Sequence, residues 1–370
     1  MSKIQIIPPE TETATYVENN IINFTLTYDG FALKKNSIRI CGEVQVLNNN
    51  QALLPADNVY YDSVLGAHGL FRQITSEINS QTIETIENYP MTAKSMFSCG
   101  NNQLDFMSSV EKNMCLQIGN DALSGALISK TNAIDGDVAT QNTLVWNSFV
   151  CKPFISLNRS DIDISSKKGN ASVSFYINQK SNFLYGDSAA TIGNCSVTLR
   201  NVYLIYETVD DTAQNQITTM NKIFLINQVL NSNNQQYSMN APIVAKASSI
   251  VFHEKDTPVT RNAYDLEVLP NVTSVSFSVN NVDNYNIKYS LQNPQDILIN
   301  YLNSWGYSSK DKNLMSLDTY NTYGNNYGMG INFGDQVSFT NKAFGLNIQS
   351  GVVSTRPYDA LIIFHAIIQV

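Results

Sequence analysis

The sequence predicts an all-β protein of two fused antiparallel β-sandwiches or jelly rolls, with a few short helices in the loops. Three observations support this prediction. Apolar and polar residues alternate with a period of two in many short segments, as they do in half-buried antiparallel strands. Asn, Asp and Gly, which favour turns, separate these segments. Near mid-chain an apolar segment ends in a polar connector, after which a new apolar segment begins.

The alternation is clearest in two segments. In 37–46 the residues Ile38, Ile40 and Val44 share one face, and in 274–279 every second residue is apolar. Both segments therefore have the pattern of strands with one buried face. The same argument predicts further strands at 22–27, 71–78, 81–86, 172–177, 197–206, 223–230, 250–253, 345–349 and 360–370.

The break near mid-chain is the predicted boundary between two domains. Residues 201–210 form an apolar strand that runs into polar residues, and 222–229 begin a fresh strand. The 370 residues suffice for two domains that each bury their own core. We therefore predict a first domain over 1–208, a linker over 209–221 and a second domain over 222–370. No internal sequence repeat is recognisable.

Helices are expected to be few and short. One is predicted within 90–107, broken near Gly100, and one or two helical turns within 210–220. The best candidate is 294–305, where Asn293 can cap the first turn and the apolar residues recur at helical spacing.

Composition excludes several classes of protein. The chain has 31 acidic and 23 basic residues, a net charge of −8, and only 15% charged residues. Nucleic-acid binding needs clustered Lys and Arg, and none are clustered here, so we expect no direct binding of nucleic acid. The amino terminus lacks the pattern of a signal peptide, and no segment has the roughly 20 apolar residues of a membrane span. We therefore expect synthesis in the cytoplasm without secretion through a signal peptide.

Cysteine and histidine are too dispersed for a recognisable catalytic or metal site. The five cysteines form no CxxC pair, so we expect free, packed thiols. His68, His253 and His365 are far apart, and no HExxH, GxSxG or GxxxxGK[ST] motif occurs. His365 lies in an apolar run and is expected to be a structural histidine. The glycine-rich segment 328–334 is expected to be a turn that enters a strand. We predict no catalytic, cofactor-binding or metal-binding residues, and no cofactor.

Residues 70–89 carry a resemblance to a known family. They form a strand that contains Glu77, a two-residue turn at Asn79 and Ser80, and a second strand that leads to Tyr89. This passage resembles the strand–turn–strand of the double jelly-roll major capsid proteins of icosahedral double-stranded DNA viruses, a lineage that includes tailless phages, virophages, Polinton-like viruses and adenoviruses. Asn79 can adopt the left-handed conformation that such a turn needs.

Two other passages resemble the same family. Residues 201–210 are similar to the last strand of its first jelly roll, and 222–229 are similar to the start of its second. The apolar strand 359–370 would close the second jelly roll. In place of the family's charged, arginine-containing turn after the mid-chain strand, this chain has Asp210-Asp211-Thr212-Ala213.

The resemblance implies two fused eight-stranded jelly rolls and a structural function. The chain would form homotrimers that act as pseudo-hexagonal capsomers, and these would contact neighbouring capsomers and the penton and minor capsid proteins of a virion shell. The acidic balance suggests that minor proteins or an internal membrane lie between this shell and the genome. Loops as long as 118–143 and 306–330 often have an interaction role. The second is rich in Tyr and is expected to form an outward tower or an inter-subunit contact.

Two other functions remain open from the residues alone. An adhesin of tail-fibre or lectin type would use an exposed aromatic cluster, for which Trp146 and Trp305 are candidates, or a calcium site, for which no motif is present. A glycoside hydrolase would need two carboxylates in a cleft. The candidates for that pair are Asp161 with Asp163 and Glu84 with Glu87, and the first pair is more simply explained as part of a solvated strand face.

Overall fold

The computed structural model describes residues 2–26, 31–53, 57–62, 64–100, 126–127, 146–159, 170–210, 219–230, 235–240, 243–267, 272–279, 289–290, 294–307, 328–350 and 358–369. Asp161, Asp163 and nearly all of the predicted loops 118–143 and 306–330 lie outside these residues. The same is true of 211–218, where one or two helical turns were predicted.

The described residues are mostly in strands, and each predicted strand overlaps an observed one. The strands are β1 (Ser2–Ile7), β2 (Ile21–Leu26), β3 (Phe31–Leu33), β4 (Arg39–Asn48), β5 (Gln51–Ala52), β6 (Val59–Tyr61), β7 (Phe71–Ile78), β8 (Gln81–Ile86), β9 (Ala126–Leu127), β10 (Asn147–Cys151), β11 (Ala171–Ile177), β12 (Leu184–Gly186), β13 (Cys195–Asp210), β14 (Thr219–Leu230), β15 (Gln235–Asn240), β16 (Val244–Glu254), β17 (Val272–Val279), β18 (Tyr289–Ser290), β19 (Gly328–Ser338), β20 (Ala343–Ser350) and β21 (Tyr358–Gln369).

The described helices are short. They are α1 (Tyr89–Gly100), α2 (Ser156–Arg159), α3 (Lys180–Phe183), α4 (Ala189–Asn194) and α5 (Pro294–Ser304), together with a 3₁₀ turn at Gly66–Leu70. The two longer helices, α1 and α5, are the ones that the sequence predicts.

Contacts divide the chain into two compact units. The first takes its described residues from Met1–Ala93, Leu104–Met220 and Thr257–Tyr264. It contains a sheet of order β1-β13-β4-β10, with β3 beside β13 and β5 beside β4, and a second sheet of order β2-β11-β7-β8. A small sheet of order β12-β6-β9 completes its described strands.

The second unit takes its described residues from Lys94–Gln103, Asn221–Asp256 and Asp265–Val370. Its two sheets have the orders β14-β21-β16-β19 and β15-β20-β17-β18. Both units thus include a segment that is distant in sequence from the rest of the unit. The predicted boundaries, with a linker over 209–221, stay a prediction.

The two units have the same strand order. If their eight principal strands are numbered along the chain, one sheet of each unit runs 1-8-3-6 and the other runs 2-7-4-5. In the first unit these eight strands are β1, β2, β4, β7, β8, β10, β11 and β13, and in the second they are β14 to β21. This is the order of an eight-stranded jelly roll, in which two antiparallel sheets face each other.

The predicted hairpin in the first unit is confirmed. β7 and β8 pair antiparallel up to Ile78 and Gln81, and the two residues between them have φ values of 53° at Asn79 and 61° at Ser80. Two successive left-handed residues make a type I′ turn, whose twist matches that of the flanking strands. Asn tolerates this conformation well, which explains why no glycine is needed at the first turn position.

Aromatic side chains join the two sheets within each unit. In the first unit the Phe71 ring lies 5.1 Å from that of Phe175 in its own sheet and 6.4 Å from that of Phe149 in the opposite sheet. In the second unit Phe344 of one sheet and Phe364 of the other have ring centroids 5.0 Å apart. Burying each such ring contributes about 1.5–3 kcal/mol. Each unit therefore has its own apolar core, as the sequence predicts.

The glycine-rich segment 328–334 is a strand from its first residue, so the predicted turn there is wrong. Gly328 and Gly330 lie on β19 under α5. A Cβ atom on Gly328 would lie 2.2 Å from the Tyr301 ring, and one on Gly330 would lie 2.2 Å from Ser304 Oγ. The glycines thus allow close packing of the helix on the strand, a tertiary reason that local sequence does not reveal.

Candidate functional surfaces

A polar groove lies on the outer face of the β2-β11-β7-β8 sheet of the first unit. Its volume is about 530 Å³, and its lining residues are Glu10, Asn23, Thr25, Glu77, Asn79, Ser80, Asn170, Ser172 and Ser174. The side chains alternate along the strands, so that Phe24, Val173 and Phe175 point into the core while the polar residues between them face outward. This groove is uncharged except for Glu10 and Glu77.

The carboxylates of this groove bond to neighbouring hydroxyl groups. Thr25 donates a hydrogen bond to Glu10, and Ser172 donates to Glu77 Oε2 at 3.3 Å. Thr82 donates to Glu77 Oε1 at 3.3 Å. No cation among the described residues pairs with either carboxylate.

A second polar groove occupies the corresponding place in the second unit. Its volume is about 470 Å³, and it is lined by Gln236, Tyr237, Ser238, Ser276, Ser278, Gly345, Leu346 and Asn347. These residues lie on β15, β20 and β17, which have the same ranks in their unit as β2, β11 and β7 have in theirs. Both units thus present a hydroxyl-rich and amide-rich surface on the same sheet, and only the first surface carries charge.

A buried ion pair holds the segment after β10 to the hairpin of the first unit. Arg159 Nη2 donates to Glu84 Oε1, and Ser156 N donates to Glu84 Oε2 at 2.6 Å. The Glu84 side chain is fully buried and that of Arg159 is 14% exposed. The Arg159 guanidinium also lies 4.5 Å from the Phe154 ring centroid. Glu84 therefore has a structural partner on each of its two oxygens.

Tyr89 forms a second buried polar cluster in the first unit. Its hydroxyl lies 2.6 Å from His68 Nδ1 and accepts a hydrogen bond from Phe154 N at 3.1 Å. Burial raises the pKa of Tyr89 well above its ordinary value, so the phenol stays protonated. His68 is fully buried and stacks on the Tyr89 ring, with centroids 5.7 Å apart.

The other two histidines, His253 and His365, lie on neighbouring strands of the second unit. His253 Nε2 is 3.7 Å from Asp359 Oδ2, its cross-strand neighbour on β21. Burial lowers the pKa of His253, and the Asp359 carboxylate opposes part of that change. His365 meets Ser249 Oγ at 3.5 Å through Nε2, and the Trp305 ring stands perpendicular to it at 4.5 Å.

Each of the two tryptophans contacts a polar side chain. The Arg200 guanidinium lies 4.1 Å from the Trp146 ring centroid, and Trp305 contacts His365. Trp146 belongs to the first unit and Trp305 to the second, so neither unit contains the pair that a stacking platform would use. Glu84 and Glu87 are not brought together either, because Glu84 is buried and Glu87 is exposed.

The fold itself has known counterparts. The structure is similar to the Faustovirus major capsid protein with a TM-score of 0.65 and 11% identity, over 99% of this chain and 90% of that one. It is similar to VP54 of PBCV-1, in a structure fitted into a reconstruction of the virophage Sputnik, with a TM-score of 0.63 and 11% identity over 99% and 94% of the two chains. The mavirus major capsid protein matches with a TM-score of 0.55 and 11% identity over 98% and 86%.

This chain has the double jelly-roll fold. The likeness covers both jelly rolls, and at these identities it establishes the fold alone. No known protein-family profile matches the sequence, and no curated protein matches it. The predicted fold class, two fused eight-stranded antiparallel jelly rolls, is confirmed.

The described part of the double jelly roll contains no group of three or more His, Cys, Asp or Glu side chains that could hold a metal ion. Cys41, Cys99, Cys151 and Cys195 are buried free thiols, as predicted, and Cys115 lies outside the described residues. Burial raises the pKa of the Cys195 thiol to about 11. None of the described helices combines the length and apolarity that crossing a bilayer requires.

The sequence did not reveal the two grooves as surfaces. They became visible only when three strands that are distant in the chain were placed side by side. The sequence contains one signal for them, which is the type of residue at the outward positions of the predicted strands. These positions are Ser172 and Ser174 in one strand and Ser276 and Ser278 in another.

Proposed function

We propose that this chain is a major capsid protein that forms homotrimeric, pseudo-hexagonal capsomers of an icosahedral virion shell. The observation that carries the proposal is the repetition of one jelly-roll strand order in two units of a single chain. A ring of three such chains contains six sandwiches of equal topology, and a cyclic trimer needs only one heterologous interface, used three times. The capsid proteins named above have this fold, which supports the proposal.

The surface chemistry supports assembly through polar contacts. Protein interfaces between separately folded partners are wet and carry many hydrogen bonds, and Ser, Asn and Tyr supply these bonds without the desolvation penalty of a charge. Only 15% of the residues of the chain are charged. The grooves on both units have such a lining.

Partners and location follow from the proposed role. The chain would contact itself, neighbouring capsomers, and penton and minor capsid proteins. It would be made in the host cytoplasm and reside in the virion capsid. Because acidic residues exceed basic ones by 31 to 23, we expect minor proteins or an internal membrane, rather than this chain, to contact the genome.

We also propose that the chain is not an enzyme. Of the carboxylates considered for hydrolysis, two are among the described residues. Glu84 lies in a buried ion pair, and Glu87 is exposed. The adhesin or lectin alternative is not favoured, because the structural relatives are capsid proteins.

The trimer is tested by measuring the mass of the purified full chain with light scattering over a range of concentrations. We expect three times the chain mass of 41.1 kDa, and negative-stain images of hexagonal particles about the size of six sandwiches. A protein that stays monomeric at high concentration would contradict the proposal, and particles without a hexagonal outline would contradict the pseudo-hexagonal arrangement.

A further inference from the structure

The outer face of the β2-β11-β7-β8 sheet has opposite charges at its two ends. We call this surface the serine face and define it by Asn23, Thr25, Ser172, Ser174 and Tyr176, with Arg72 at one end and Glu10 and Glu77 at the other. Ser172 pairs with Glu77 across the sheet, and Tyr176 lies four residues further along β11. At about 3.3 Å per residue, the two ends are separated by about 13 Å.

Arg72 is held at its end by an aromatic ring. Its guanidinium carbon lies 5.6 Å from the Tyr176 ring centroid, an arrangement that orients the cation but leaves its hydrogen-bond donors available. Arg72 has no carboxylate partner within the described part of the chain. Ile21, which pairs with Tyr176 across the sheet, is 47% exposed, so this end also offers apolar surface.

The acidic end has acceptors that are only partly used. Glu77 accepts two hydroxyl hydrogen bonds of 3.3 Å, and Glu10 accepts one from Thr25. A carboxylate can accept about four hydrogen bonds, and a guanidinium supplies two parallel donors that match its geometry. Between the two ends lie only hydroxyl and amide groups, each of which can donate and accept.

We infer that the serine face docks on the serine face of a second copy of this chain, across a two-fold axis. A two-fold axis brings residue i of one copy to residue j of the other and j to i. It therefore places Arg72 of each copy against Glu77 and Glu10 of its mate, and Ser174, midway between the ends, near its own counterpart. The occupant is a copy of the chain because the face itself supplies both members of each charge pair.

This contact rests on the proposed function and adds to it a surface through which capsomers would meet. A trimer uses a head-to-tail interface, which a two-fold contact cannot supply, so the serine face would join chains of neighbouring capsomers. The second unit's groove, which has no charged lining residue, lacks the complementary ends that would fix such a register.

The test is a cysteine cross-link combined with charge reversal. The variant Ser174→Cys of the full chain is oxidised at roughly 1 mM, and the disulfide-linked dimer is measured on a denaturing gel against the wild-type background. We expect a linked dimer with Ser174→Cys and none above background with Ser276→Cys, which places a cysteine in the groove of the second unit. Adding Arg72→Glu or Glu77→Arg singly should lower the linked fraction at least about fivefold.

Combining Arg72→Glu with Glu77→Arg in one chain should restore the link, because positions 72 and 77 again carry opposite charges. Lys342→Glu, an exposed charge reversal in the second unit, should leave the linked fraction unchanged. Absence of the Ser174→Cys link, or single reversals without effect, would overturn the inference. Light scattering of the same samples reports the trimer separately, so trimers that do not cross-link would refute this contact and leave the capsomer proposal intact.

Discussion

The two jelly rolls share one strand order, but different interactions stabilise the interior of each. In the first, a buried ion pair between Glu84 and Arg159 and the Tyr89 cluster tie loops to the sandwich. In the second, α5 packs directly on β19 through glycines, and the phenylalanines around Phe364 join the sheets. The same topology thus tolerates quite different interiors, because alternation of apolar residues specifies which face is buried but not which side chains fill it.

The largest expected effect comes from removing the buried ion pair of the first jelly roll. Glu84→Gln leaves the largely buried Arg159 guanidinium without a counter-charge, and we expect a loss of about 3–5 kcal/mol in the free energy of unfolding. Chemical denaturation measures it. The matched control is Glu43→Gln, which removes the partially exposed pair with Arg200 and should cost less than about 1 kcal/mol. Equal losses for both variants would show that burial of the Glu84 pair is unimportant.

The next effect tests the glycine contact in the second unit. Gly330→Ala would place a Cβ atom 2.2 Å from Ser304 Oγ and 3.1 Å from the Tyr301 backbone, so α5 must move. We expect a loss of about 1–3 kcal/mol, seen as a lower midpoint of thermal unfolding. Gly193→Ala in the first unit, where nothing lies within 4 Å of the added atom, should not destabilise the protein. An unchanged midpoint for Gly330→Ala would mean that the helix is not seated on β19 in this way.

A substitution in the β7–β8 turn of the first unit is expected to stabilise the protein. Ser80 has a φ of 61°, a conformation that glycine adopts at lower cost than serine. Ser80→Gly gives the Asn-Gly turn that type I′ hairpins favour and should raise the free energy of unfolding by about 0.4–1 kcal/mol. Denaturant titration beside wild type checks the sign, and a destabilised variant would argue against the type I′ turn.

The smallest expected effect is a pH dependence confined to the second unit. Burial lowers the pKa of His253 in the folded protein, so the folded state resists protonation of this group more than the unfolded state does. Its contribution to stability is therefore present above the ordinary histidine pKa of about 6.5 and declines as the pH falls through that value. His253→Gln should flatten the unfolding free energy between neutral and mildly acidic pH. A slope identical to wild type would assign that pH dependence to other groups.

The sequence predicts the second unit's interior strands as well as the first's, but it misses edges and contacts that depend on tertiary structure. β7, β8 and β11 are found because alternation and turn residues are local signals. β1 has exposed Ile4 and Ile6 and forms a strand only because β13 lies beside it. Ile4 and Ile6 alternate with polar residues, but because both are exposed this alternation does not identify a buried face.

The candidate surfaces are harder to predict than the strands. The outward positions of β11 are visibly polar in sequence, but the groove also needs Glu10 and Thr25, which reach it from elsewhere in the chain. The buried role of Glu84 was likewise hidden, since its partner Arg159 is 75 residues away. Long-range pairing of this kind follows from the order of strands in the sheets, and no single window of sequence contains it.

The segment Thr257–Tyr264 has a consequence for how the protein is made. It belongs to the first unit, where Asn262 donates to Asp62 Oδ2 at 2.7 Å and Asn178 bonds to Tyr264. A ribosome that adds about 5–20 residues per second needs roughly 2–9 s to go from Met220 to Tyr264. During that interval Asp62 lacks its hydrogen bond from Asn262, and Asn178 lacks its bond to Tyr264. Strands β14, β15 and β16 of the second unit are translated in the same interval. The last segment of the first jelly roll is thus translated only after part of the second.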